Sequence, residues 1–230
     1  SATMWRRQVA DLEAAGIPAV AIDLPGHGQR IGERFSLAGA HGTIGAAVAR
    51  AAASGHRPYL AGLSLGGYLA IDWAAQNPGR VCGVLAASCG TTPHRLVLDG
   101  WRVLARGIHA LPDQGRALND FMLRLMVRSD AADDVLAGGV ALEVMDDVLR
   151  ELRHVNPIRS LPLVQVPVLF VNGALDHFRL QAARYLAATP RGRLVTVSGA
   201  SHLVSIVKPH EFTDALLDGY SEAIVAARAL

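Results

Sequence analysis

A serine flanked by glycines, Gly62-Leu63-Ser64-Leu65-Gly66-Gly67, lies where an apolar run, Pro58 to Gly62, gives way abruptly to a helical pattern, Leu65 to Gln76. A serine hydroxyl attacks a carbonyl carbon only when a base accepts its proton, and that base needs a third group to hold its tautomer. A sharp strand-to-helix turn suits such a nucleophile. The glycines flanking Ser64 let the backbone cross at close quarters, and the turn lifts the hydroxyl above the sheet next to unpaired helix amides. The amide of Leu65 is the one expected to stabilise the oxygen that becomes negative during attack. Composition alone gives about 0.1 chance matches to Gly-x-Ser-x-Gly in a chain of this size, so the position between strand and helix carries more weight than the spacing.

The base is sought among nine histidines. His202 is the strongest candidate: it ends Ser198-Gly-Ala-Ser-His, a loop of small residues after an apolar run and just before the last helical region. Asp176 ends Asn172-Gly-Ala-Leu-Asp after another apolar run, at the kind of strand end where open parallel sheets gather their catalytic groups. The chain order Ser64, Asp176, His202 is the serine, acid, histidine order expected of an open α/β sheet with a nucleophile on such a turn. The plainer alternative has Asp176 capping the following helix and His202 as a polar loop residue. His27, in a Pro-Gly-His-Gly turn, reads as a loop-ordering residue, and His177 as a neighbour of the acid. Neither a compact histidine ligand spacing, nor a zinc-type cysteine set, nor a phosphate-binding glycine loop occurs, so neither a metal nor a nucleotide cofactor is expected.

The elements that must position these groups alternate at both ends of the chain. Helical patterns over Thr3 to Ala15 and Leu37 to Ser54 flank an expected strand, Pro18 to Ile22, that runs into Asp23-Leu-Pro-Gly-His-Gly. Further strands are expected over Pro58 to Gly62, Val81 to Ala87, Pro167 to Asn172 and Arg193 to Ser198, with a last helix from Pro209 to Leu230. These apolar runs do not alternate, as befits strands covered on both faces of a parallel sheet. Between Thr91 and Leu163 three amphipathic helices, Leu96 to Leu111, Ala117 to Val127 and Val140 to Arg153, follow one another without a strand. The expected architecture is α/β: a mostly parallel sheet with helices on both faces, its core formed by residues 1–90 and 164–230, and a helical cap insertion over 91–163. Trp101, Phe121, Met122 and Met126 of the insertion line an acyl pocket or simply pack the cap, and no role is assigned to them.

Composition narrows the function. With 51% hydrophobic and 18% charged residues, 230 residues bury a sizeable core. The 22 basic and 20 acidic side chains leave +2 without forming blocks, so neither nucleic acid nor a membrane surface is an expected partner. No uninterrupted apolar run of about 18 residues spans a bilayer, and the amphipathic start lacks the apolar stretch of a signal peptide. Cys82 and Cys89 are too far apart along one strand and its exit to bridge, which fits a reducing compartment and a cytoplasmic location.

Taken together, Asp23-Leu-Pro-Gly-His-Gly, Gly62-Leu-Ser-Leu-Gly-Gly, Gly173-Ala-Leu-Asp176 and Ser201-His202 resemble the α/β-hydrolase superfamily over nearly the whole chain. The resemblance implies a serine hydrolase acting on a small-molecule acyl substrate, an ester, thioester or lactone, without a cofactor. Carbon–carbon bond hydrolases and cofactor-free perhydrolases or haloperoxidases share these motifs and remain alternatives. Members of the superfamily begin with strands and a His-Gly loop that usually supplies the second oxyanion amide. This sequence opens at Ser1-Ala-Thr-Met-Trp5, just past that loop. The expectation is therefore a fold truncated at its N-terminus, a fragment of a longer product, with a non-catalytic or degenerate ligand-binding protein as the rival reading.

Overall fold

Four of the five expected strands form: β1 (Tyr59–Leu63), β2 (Gly83–Ala87), β3 (Val168–Gly173) and β4 (Gly192–Val197). They lie in the order β1-β2-β3-β4, and every neighbouring pair is parallel. The computed structural model describes residues 1–113, 115, 117, 118, 120, 121, 124, 127, 131–139 and 144–229. Each residue of β2 and β3 is buried, whereas the edge strands β1 and β4 are only partly covered. Burial on both faces is why the sequence of the central strands shows no alternation. Leu63 lies opposite Ala87, Ala87 opposite Val171, and Val171 opposite Val195, so this register aligns the carboxyl ends of the strands.

The expected strand over Pro18 to Ile22 does not form: residues 17–24 carry no regular secondary structure, and Val20 is 75% exposed. A strand persists only where a neighbour completes its ladder of N–H and C=O groups. No described strand pairs with this run, and apolar composition does not replace a ladder.

Two compact units are distinguished, and the sheet belongs wholly to the one formed by residues 44–92 and 155–230. Helix α3 (Leu65–Gln76) connects β1 to β2 and packs on both. The C-terminal helix, Pro209–Arg228, packs on β2 and its neighbours, giving the sheet helices on both faces. Phe170, Phe212, Leu69, Ile71 and Leu85 are among the largest side chains of this core. Cys82 and Cys89 are buried and free.

The other unit, residues 1–43 and 93–154, is helical. It contains α1 (Arg6–Ala14) and the start of α2 (Leu37–Ala53), then α4 (Arg95–His109), α5 (Ala131–Ala137) and α6 (Met145–Glu151). Its boundaries run differently from the expected division at 91–163, because residues 1–43 group with the helical stretch. Within the expected helix Ala117 to Val127, residues 117, 118, 120, 121 and 124 are helical, while Met122, Met126 and the first residues of the helix expected over Val140 to Arg153 lie outside the described residues. Among the described residues no helix is long and apolar enough to cross a membrane.

Candidate active site

Ser64 is the first residue past β1 and the N-cap of α3, held at φ 53°, ψ −115°. Such a conformation costs a non-glycine residue about 1–3 kcal/mol and persists only where its surroundings impose it. The Ser64 amide donates to the carbonyl of Ala87 at 2.8 Å, which ties the turn to β2. A β-carbon at Gly62 would overlap the carbonyl of Gly66, so the strand-helix crossing requires glycine there. The second expected glycine is corrected: Gly66 faces open space, whereas a β-carbon at Gly67 would fall 2.7 Å from Cys89 Sγ. The Ser64 side chain caps no amide of α3. The Leu65 N–H, first in the helix, thus has neither that cap nor an intrahelical acceptor.

Asp176 and His202 arrive on loops stitched to each other. The amide of Ala174 donates to Val197 O and that of Leu175 to Ala200 O, both at 2.9 Å. A β-carbon on Gly173 would overlap the carbonyls of Ala200 and Ser201, so the loop bearing His202 lies directly against the end of β3. His202 Nε2 is 2.9 Å from Ser64 Oγ, and His202 Nδ1 is 3.2 Å from Asp176 Oδ1. The expected serine, histidine and acid therefore meet, although 138 positions separate the first pair in the chain.

The protons follow from the chemistry of the acceptors. An ionised carboxylate only accepts, so Nδ1 carries a hydrogen and donates it to Asp176, leaving Nε2 as acceptor for the Ser64 hydroxyl. The Asp176 side chain is fully buried, which opposes ionisation. Hydrogen bonds from His202 and from the Phe178 amide, the latter at 2.9 Å, outweigh burial and hold the carboxyl below its ordinary value. Asp176 also N-caps the short 3-10 turn His177–Arg179 through that same Phe178 amide. Helix capping and orientation of the imidazole, alternatives on sequence grounds, coexist in one side chain.

Two neighbours escaped the sequence reading. The Phe178 ring lies against the His202 imidazole with centroids 4.8 Å apart, so one residue braces both acid and base. Ser88, the first residue past β2, is wholly buried. With Ser64, it is one of two described non-glycine residues at positive φ, here 52°. No spacing rule marks either residue; a serine directly after an apolar strand, level with Ser64 in the register, is the one available signal. His177, an expected neighbour of the acid, is exposed with its ring on Phe178. His27 orders its loop through a 3.0 Å hydrogen bond to Pro25 O. Among the described residues no three histidine, cysteine or carboxylate side chains group as metal ligands.

Solved structures share this arrangement of elements. A thermophilic esterase from Thermogutta terrifontis superposes with a TM-score of 0.77 at 18% identity, over 96% of this chain and 86% of its own. The enol-lactonase from Burkholderia xenovorans gives 0.76 at 20% identity, over 96% and 87%. NosK from Streptomyces actuosus gives 0.71 at 24% identity, over 96% and 92%. At these identities the likeness is one of fold. No curated protein matches the sequence. The family model described as "Alpha/beta hydrolase family" matches residues 1–215, and on that extent of agreement the chain belongs to the alpha/beta hydrolase family.

Proposed function

We propose that the protein is a serine hydrolase that cleaves a small carboxylic ester, thioester or lactone through an acyl-enzyme intermediate, with no cofactor. The observation that carries this reading is the unbroken relay from Ser64 Oγ to His202 Nε2 at 2.9 Å and from His202 Nδ1 to Asp176 Oδ1 at 3.2 Å. In the first step Ser64 Oγ bonds to the acyl carbon while its proton passes to Nε2. The carbonyl oxygen becomes an oxyanion beside the Leu65 amide, and Asp176 stabilises the imidazolium. Nε2 then returns the proton to the leaving alkoxide or thiolate, whose bond to the acyl carbon breaks. Water repeats the sequence on the acyl-serine, releasing the acid and restoring the hydroxyl.

The first test needs no knowledge of the substrate. A fluorophosphonate probe forms an oxygen–phosphorus bond with an activated serine and expels fluoride. The expected result is labelling of the folded protein that disappears in Ser64→Ala. A folded protein that takes no label would support a non-catalytic binder instead. Product analysis with matched ester and β-diketone substrates separates acyl–oxygen from carbon–carbon cleavage by the same three side chains.

A further inference from the structure

Ser64 and Ser88 are the only described non-glycine residues at positive φ, and each is the first residue past one of two adjacent parallel strands. Ser64 has an evident use for its conformation; Ser88 has none in the steps above. Its backbone is tied to the next strand, with the amide donating to Val171 O at 2.9 Å, so the side chain is fixed at the carboxyl end of the sheet. The segment that follows Ser88 lies along the one that follows Asp176, with the Gln181 amide donating to Gly90 O at 2.8 Å and a β-carbon on Gly90 falling 3.2 Å from Phe178 O. The nearby Ser88 hydroxyl favours the ionised Asp176 carboxyl. Yet neither Ser88 Oγ nor Asp176 Oδ2, both buried, reaches full hydrogen-bond geometry with any partner. The other oxygen, Oδ1, is engaged by the Phe178 amide and by His202. A buried carboxylate oxygen left without a donor is costly, and a small adjustment of the Ser88 side chain or of the carboxylate, with the hydroxyl hydrogen turning to suit, would supply one.

Resting on the triad reading above, we propose that Ser88 is a positioning residue for the acid, its hydroxyl donating to Asp176 Oδ2 during the reaction. Oδ1 then takes the imidazole and the Phe178 amide, Oδ2 takes Ser88, and the carboxylate is fixed about its own axis. Strain at φ 52° is retained because it aims the hydroxyl at that oxygen. The other titratable groups that sense Asp176 are Cys89, beyond β2, and Tyr68 of α3; burial raises both, so they stay protonated and neutral across the working range. His177, next in the chain, is exposed. Loss of the Ser88 donor therefore acts on Asp176, whose carboxyl is less well held in its ionised form when Oδ2 is left bare.

The test is the rate of fluorophosphonate labelling of Ser64 against pH in the wild type, Ser88→Ala and Ser88→Gly. Alanine removes the hydroxyl and keeps the strain; glycine removes both, and so remains informative if the alanine variant folds poorly. The proposal expects both variants to label about 10-fold more slowly at neutral pH. It also expects the acid limb of the profile to move upward by about half to one pH unit in each. Wild-type rates and limb in both variants would overturn it. So would slower or less complete labelling with an unmoved limb, because a purely structural role has that signature. A folded wild type that takes no label removes the triad reading itself, and this inference with it.

Discussion

The carboxyl ends of the strands and the helical stretch 93–154 hold their carboxylates in opposite ways. At the strand ends a single acid, Asp176, is sealed from water and surrounded by a backbone amide, an imidazole and a hydroxyl, all delivered from hydrogen-bonded strands or their loops. In the helical unit Asp146 and Asp147, on α6, are met by arginines. Arg102 of α4 contacts Asp146 at 2.8 Å, while Arg34 and Arg150 converge on Asp147. The Asp147 side chain is 3% exposed, yet Arg34 is 80% exposed, so that charge pair is screened from one side. Backbone ladders fix atoms to within fractions of an ångström, which chemistry demands. Long flexible arginines supply modest, salt-sensitive stability and little precision.

If this contrast is right, substitutions at the strand ends remove turnover while leaving melting nearly unchanged. The largest effect is expected at the relay itself. Ser64→Ala and His202→Ala should each lower kcat by on the order of 10⁴- to 10⁶-fold, and the double variant should be little worse, because the members act as a unit. Losses that multiply in the double variant would separate the two residues functionally. Asp176→Asn comes next, with a loss of about 10⁴-fold, since the amide favours the wrong imidazole tautomer. A variant turning over near the normal rate would mean another group holds the imidazole.

Phe178→Ala sharpens the comparison at intermediate size. It keeps the amide that caps Asp176 but removes the ring beside His202, and kcat should fall about 10- to 100-fold with little change in KM. Phe178→Leu, which restores bulk, should recover most of the loss.

The smallest effect, and the opposite kind, belongs to the helical unit. Asp147→Asn should lower Tm by about 2–4 °C at neutral pH while altering kcat less than twofold. The Arg34 guanidinium beside Asp147 holds its carboxyl below the ordinary carboxylate value. The pair therefore stabilises the fold fully above the unfolded carboxylate pKa of about 3.9, and the contribution fades as pH falls through the lower folded value. Thermal melts should show the difference between wild type and variant closing toward pH 3 and shrinking in 1 M salt. A kcat loss as large as that of Phe178→Ala would dissolve the distinction between the regions.

The sequence made the nucleophile turn legible because its requirements are local: a small residue at Gly62, a serine, and a helix immediately afterwards. Strand-end positions, the loop of small residues before His202 and the chain order together led to Asp176 and His202, since parallel strands deliver their exits to one edge. What stayed hidden depends on neighbours distant in the chain. The run Pro18 to Ile22 has the composition of a strand but lacks a ladder partner among the described residues, and composition does not report partners. Ser88 and Phe178 matter through their proximity to Asp176 and His202, which no periodicity encodes. Arg34 and Asp147 are likewise 113 positions apart.

Because the carboxylate of Asp176 also closes the turn that begins at its own backbone, its reach is set by local chain geometry. Glutamate offers similar acidity but one methylene more, which carries the oxygens past the amide two residues on. Chain length rather than proton affinity is what suits the shorter acid to this position, because one side chain sets both the start of the turn and the pose of the imidazole.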